Sequence, residues 1–271
     1  MVKKLIKYEM LYYLRTLLPA ELILLGMAFL VRFVQFFEND SIVYSIVSGS
    51  SLITYVVAIL VLLVMMFVMA IKRFNQNLYT AEGYLSFTLP VTHSEHIFSK
   101  LFSAVVMSVI TGVIVISSVF IATAGELAAE IMKAGTYLFK ALTDFASWHS
   151  VLFIIEFLLY VIVSLSSGYL LYYTCITAGQ MAKKNRVLAA FGAYFAYYIA
   201  TQAVETFFVI LTVIFNKWFE EVMTNIGLFV MEHPIATVHI VLISLTVFSA
   251  IFGALYFFLT HLIMKKRLNL E

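Results

Sequence analysis

The chain has 271 residues, 63% of them hydrophobic and only 12% charged, with a formal net charge of +2 and a mean hydropathy of +1.01. That balance excludes an ordinary soluble domain and reads as an integral membrane protein. Cys175 is the single cysteine, which excludes an intrachain disulfide and a cysteine cage for a metal ion.

A bilayer core about 30 Å thick needs roughly 20 apolar residues per helical span. Six blocks qualify, at about 17–37, 50–71, 101–123, 151–178, 187–215 and 237–263. They predict an all-α polytopic fold with six transmembrane helices in one transmembrane domain, 1–271. Before the first block, "MVKKLIKYEMLYYLRTLLP" lacks the compact basic region, apolar run and small-residue site of a removable signal peptide, so the first span is expected to be retained. Within it Leu5, Tyr8, Leu11, Tyr12 and Leu14 can share one side of a helix while Lys3, Lys4, Lys7 and Arg15 reach headgroups. This predicts an amphipathic elbow helix over 1–16 lying on the inner leaflet, with Pro19 in the first turn of the span that follows.

The first span carries Glu21, near its inner end and within reach of headgroup water, and Arg32, about 7–8 Å from its outer end at 1.5 Å per residue. Between the second and third spans lies "YTAEGYLSFTLPVTHSEHIFSK", residues 79–100, which mixes turn residues with Tyr84, Leu85, Phe87 and Leu89. A solvated loop has little use for four large apolar side chains, so they rest on the inner leaflet or insert into a partner protein. Pro90 stops any helix there, and Thr92 or Ser94 then caps the third, with Glu95 in its first turn. His93 and His96 lack the spacing of the helical zinc-protease motif and are expected to be solvated loop residues.

After the third span, 125–149 places Leu127, Ile131, Ala134, Leu138 and Leu142 at helical spacing, predicting an amphipathic helix at the outer interface, as a cap on the bundle or as a substrate gate. The fourth span holds Glu156 at a depth similar to Arg32, and the fifth holds Glu205 at about 15 Å. A charge inside a span costs about 2.5–3.5 kcal/mol on insertion scales, so each calls for a partner or a function. Arg32 is expected to pair with Glu156 or Glu205, either to fix packing or to serve a substrate or proton path. The fifth span also carries a stripe of small residues, Ala189, Gly192, Ala193, Ala196 and Ala200, which admits close backbone approach by a helix of this chain or of a second copy. A second amphipathic helix is predicted over 216–234, with Trp218 as an interfacial anchor.

The charges then orient the chain. Lys3, Lys4, Lys7 and Arg15, Lys72, Arg73 and Lys100, Lys183, Lys184 and Arg186, and Lys265, Lys266 and Arg267 make thirteen of the seventeen Lys and Arg residues, and all fall in alternate segments. By the positive-inside rule both termini are cytoplasmic, and so is the 72–100 loop. No Gly-rich loop ending in Gly-Lys-Ser/Thr is present, so no nucleotide-phosphate cradle is expected in this chain, and nothing points to nucleic acid.

The string "EGYLSFTLPV", Glu82 to Val91, followed by Ser99-Lys100-Leu101, resembles the cytoplasmic loop of type-2 ABC exporter permeases of Gram-positive bacteria, and the ending "KKRLNLE" is similar to theirs. The resemblance implies a permease subunit of a bacterial plasma-membrane exporter, with a second permease chain, identical or paralogous, completing the pathway. It implies separate ATPase subunits below, where ATP and Mg would bind, and no cofactor or catalytic residue in this chain. It assigns ATPase coupling to Glu82, Gly83, Tyr84, Leu85, Phe87, Leu89, Pro90 and Lys100. The Tyr-rich spans suit an amphipathic cargo such as a peptide, drug or lipid-like molecule. The competing reading is a non-transporting membrane sensor or immunity protein that sequesters a peptide in the bilayer and needs no ATPase.

Overall fold

The computed structural model describes residues 2–80, 83, 88, 90–123, 133 and 147–267. Among these, the backbone forms seven α-helices and no strand: α1 (Val2–Gln35), α2 (Ile42–Tyr79), α3 (His93–Ala122), α4 (Ser147–Gly179), α5 (Arg186–Ile214), α6 (Asn216–Glu232) and α7 (Pro234–Arg267). All but α6 contain a stretch long and apolar enough to cross a bilayer, giving six such helices. The chain is a multi-pass membrane protein. Of the two amphipathic segments expected outside the spans, 216–234 forms α6, whereas 125–146 lies outside the described residues apart from Lys133.

The chain divides into two compact units, Met1–Ala141 and Leu142–Glu271. In the first, α1 packs mainly on α3 and also on α2. Its buried residues are Glu9, Tyr13, Leu17, Glu21, Leu24, Ala28 and Val31, at steps of three and four, so one face of a single helix runs through the unit. The elbow expected over 1–16 is therefore not a separate element: the helix continues through Pro19. Proline removes one backbone hydrogen bond, but Leu17 and Glu21 on either side of it are buried in the same seam, and that packing keeps the helix going. The apolar face expected for the elbow also differs. Tyr8 and Leu11 are exposed, while Glu9 and Tyr13 turn inward.

Local signals set the helix starts. The Ser41 hydroxyl accepts from the Tyr44 N–H at 3.1 Å to cap α2. Thr92, rather than Ser94, caps α3 in a capping box: its hydroxyl accepts from the Glu95 N–H at 3.4 Å, while its own N–H donates to Glu95 Oε2 at 2.7 Å. Far along α3, Ser118 Oγ hydrogen-bonds Tyr55 Oη of α2 at 2.8 Å, a buried polar tie between the two helices.

In the second unit α4 packs against α7 and, less extensively, against α5. These helices bury Tyr169, Leu170, Tyr173, Cys175 and Thr177 on α4 and Tyr256, Thr260 and Met264 on α7. Thr174 Oγ1 lies 3.0 Å from Thr260 Oγ1 and donates to the Tyr256 carbonyl at 3.1 Å, so hydroxyls bridge the two helices. The α4–α5 turn enters α5 through Asn185 at φ 53°, a left-handed conformation that asparagine tolerates. There Gly179 meets the Ala190 backbone so closely that an added Cβ would lie 2.6 Å from the Ala190 nitrogen. Among the described residues α5 and α6 bury none of their side chains, and an α5 that is apolar yet uncovered fits a lipid environment.

Gly179→Ala is expected to lower stability by about 1–3 kcal/mol, because the contact is with backbone that cannot rotate away. Gly192→Ala, whose Cβ would meet nothing within 4 Å, should be neutral or slightly stabilising. Unfolding in detergent, followed by circular dichroism, checks the contrast.

Candidate functional site

Glu9 of α1 is 5% exposed, and its carboxylate gathers groups from the two other helices at one end of the first unit. Arg73 Nε of α2 donates to Oε2 at 2.8 Å, and Lys100 Nζ of α3 donates to Oε1 at 2.8 Å. Asn77 Nδ2 adds a longer bond to Oε1 at 3.3 Å. Arg73 and Asn77 are four apart and so lie on one face of α2. The Arg73 guanidinium also lies over the Tyr12 ring, with Cζ 4.2 Å from its centroid. Lys100 is buried with only 3% exposure.

Arg73 lies seven residues before Thr80 and Lys100 eight residues after Thr92, so the ion cluster sits beneath both roots of the 80–92 segment. Among the sequence-predicted coupling residues, Lys100 is thus a buried ion-pair member, and Pro90 is exposed. Gly83 is buried, its N–H donating to the Thr80 carbonyl at 2.8 Å. A Cβ there would lie 2.7 Å from the Leu78 carbonyl oxygen, so this turn requires glycine. Glu82, Tyr84, Leu85, Phe87 and Leu89 lie outside the described residues.

Further along the α1 seam, Glu21 is 5% exposed and accepts from Thr111 Oγ1 at 2.7 Å. It is a core group of the first unit and does not reach headgroup water as expected. In the second unit, Glu156 Oε2 lies 2.6 Å from His239 Nδ1 of α7. The His239 ring stands 5.5 Å from that of His149. Arg32 donates to Gln35 Oε1 at 3.2 Å and lies over Phe36, while Glu205 accepts from Gln202 Nε2 at 2.8 Å. Arg32, Glu156 and Glu205 each have these partners within their own unit.

The small-residue stripe of α5 divides: Gly192, Ala196 and Ala200 are exposed, whereas Ala189 and Ala193 are half-buried. His96 is buried in the first turn of α3, not solvated, because the helix starts at His93 and turns His96 toward the core. Among the described residues no three His, Cys, Asp or Glu side chains are grouped to hold a metal ion.

Two of these features escaped the sequence reading. Glu9 lies in a segment whose apolar residues point to a different face, although its four-residue spacing to Tyr13, Leu17 and Glu21 is a usable signal. His239 carries no formal charge in the sequence, so opposite charges alone do not point to its contact with Glu156. The cluster around Glu9 has no nucleophile poised beside a base, and its chemistry is that of a mechanical tie. No family model, curated protein or solved structure matches the chain.

Glu9→Gln removes the carboxylate that both cations share and is expected to cost about 3–5 kcal/mol of stability. Lys100→Met keeps the Arg73 bond to Glu9 and should cost less. The order of melting temperatures in detergent, wild type above Lys100→Met above Glu9→Gln, checks this, and a Glu9→Gln melt matching wild type would refute the tie.

Proposed function

We propose that the chain is the membrane-spanning permease subunit of an ATP-binding cassette exporter. It moves an amphipathic substrate outward by alternating access, driven by separate ATPase subunits that bind the 72–100 loop. Both termini and this loop then face the cytoplasm of a bacterial cell, as the alternation of Lys and Arg supports. A second permease chain completes the pathway, and the small residues exposed on α5 are suited to close helix contact with it.

The observation that carries this reading is where the exporter-like string "EGYLSFTLPV" falls. It joins the two helices whose ends Glu9 ties to α1 through Arg73 and Lys100. A coupling segment must pass a push from a soluble motor into the spans, and roots fixed by buried ion pairs suit that task better than a loop on frayed ends. Alternating access is then a rigid-body repacking of helices.

The test is capture of the ATP-binding subunit encoded beside this gene by the tagged full-length chain from membranes. Recovery is expected for wild type, with Glu82→Arg and Leu85→Asp each reducing it about tenfold or more, the scale of losing a central interface contact. An ATPase that is never recovered, or is recovered equally with both variants, overturns the assignment.

A further inference from the structure

The face of α5 that carries Tyr194, Tyr198, Gln202 and Glu205 is polar, although the helix is long and apolar enough to span a bilayer. Steps of four, four and three put these residues on one side of the helix, over about 16 Å at 1.5 Å per residue. They are not packed away: Tyr194 and Tyr198 are 38% and 52% exposed, and Gln202 and Glu205 are exposed too. Tyr172 of α4 stacks on Tyr194 with centroids 5.5 Å apart, which fixes one end of the row. Phe195, exposed beside it, adds an apolar flank.

Glu205 lies nine residues before the end of α5, about 14 Å along its axis. A carboxylate facing hydrocarbon at such a position is costly and calls for a partner. The buried carboxylate of Glu9 meets two cations, and the half-buried carboxylate of Glu156 meets His239. Glu205 has only the neutral Gln202 amide as its hydrogen-bond partner among the described residues. Gln202 holds the carboxylate in place without neutralising it, and Tyr198, seven residues earlier, offers a ring face to a positive charge. A ligand satisfying this row carries a cationic head for Glu205 and an apolar body for the tyrosines and Phe195.

We infer that this face of α5 is a binding site for a soluble cationic amphiphile, a lipophilic ammonium, phosphonium or guanidinium compound. The inference rests on the permease reading in that it names the charge class of the cargo. An amphipathic cargo with an anionic head does not fit.

The experiment uses the purified full-length chain in an uncharged maltoside detergent, which supplies no amine headgroup. Tetraphenylphosphonium binding is measured by equilibrium dialysis, beside tetraphenylborate, an anion of the same shape. Saturable cation binding is expected, weakened about tenfold or more by Glu205→Gln, as for loss of one charge-assisted contact. Glu220→Gln on α6 should leave it unchanged, and the melting temperatures of both variants should match wild type. No saturable binding, equal binding by Glu205→Gln, or equal affinity for the borate overturns the site. Because dialysis needs no ATPase, failed ATPase capture with Glu205-dependent binding sinks the permease reading alone. Successful capture with Glu205-independent binding sinks this inference alone.

Discussion

Placing the Glu9 carboxylate among side chains that exclude water costs several kcal/mol of hydration. Arg73 and Lys100 offset that cost only when α1, α2 and α3 are held in register. A buried ion pair is a poor source of net stability but a strong source of specificity, because the charges have few other acceptable arrangements once the helices are packed. Apolar contacts along the seam, such as those of Leu17, Leu24 and Ala28, would tolerate a slide of one turn far better. Register in the first unit is therefore set mainly at the Glu9 end, with the Tyr55–Ser118 bond fixing it again further along.

The second unit is held by different chemistry. Its α4–α7 seam is bridged by the Thr174 and Thr260 hydroxyls and by the Glu156–His239 contact, with tyrosines filling the space between. Hydroxyl bridges between membrane helices are individually weak, on the order of 1 kcal/mol or less. Their advantage is that each threonine also bonds its own helix, Thr174 to the Leu170 carbonyl and Thr260 to the Tyr256 carbonyl, so no donor is stranded if the helices shift. One unit is tied by charge at one end, and the other by hydroxyl bridges together with the Glu156–His239 contact.

What the sequence made legible follows the range of each interaction. The six apolar helices were readable from run length alone, and the cap of α3 from Thr92 and Glu95 three residues apart, because both signals are local. Helix α6 was readable from its amphipathic pattern. The partner of Lys100 was not, since it lies ninety-one residues away in a segment whose exposed cations drew attention to headgroups. The apolar residues of that segment misled as well. Tyr8 and Leu11 could face lipid at no cost, whereas Glu9 could not, so it is the carboxylate that chose the buried face. In a membrane chain the inward face is read better from its polar residues than from its apolar ones, because lipid accepts the apolar ones anywhere.

On the permease reading, the tie also says where motion is cheap. From Arg73 to Tyr79 is six residues, about 9 Å of helix at 1.5 Å per residue, so a push on the 80–92 segment acts on a short lever. Drawing α1 away from α2 and α3 at that lever would expose a buried charge at about 3–5 kcal/mol. Tilting the three helices together breaks none of these bonds. The ends joined by Glu9 therefore move as one body, and relative movement within the unit falls further along the spans. There Thr111 donates to Glu21 between α1 and α3, and Ser118 bonds Tyr55 between α2 and α3; single hydrogen bonds of this kind cost less to break than the buried ion pairs.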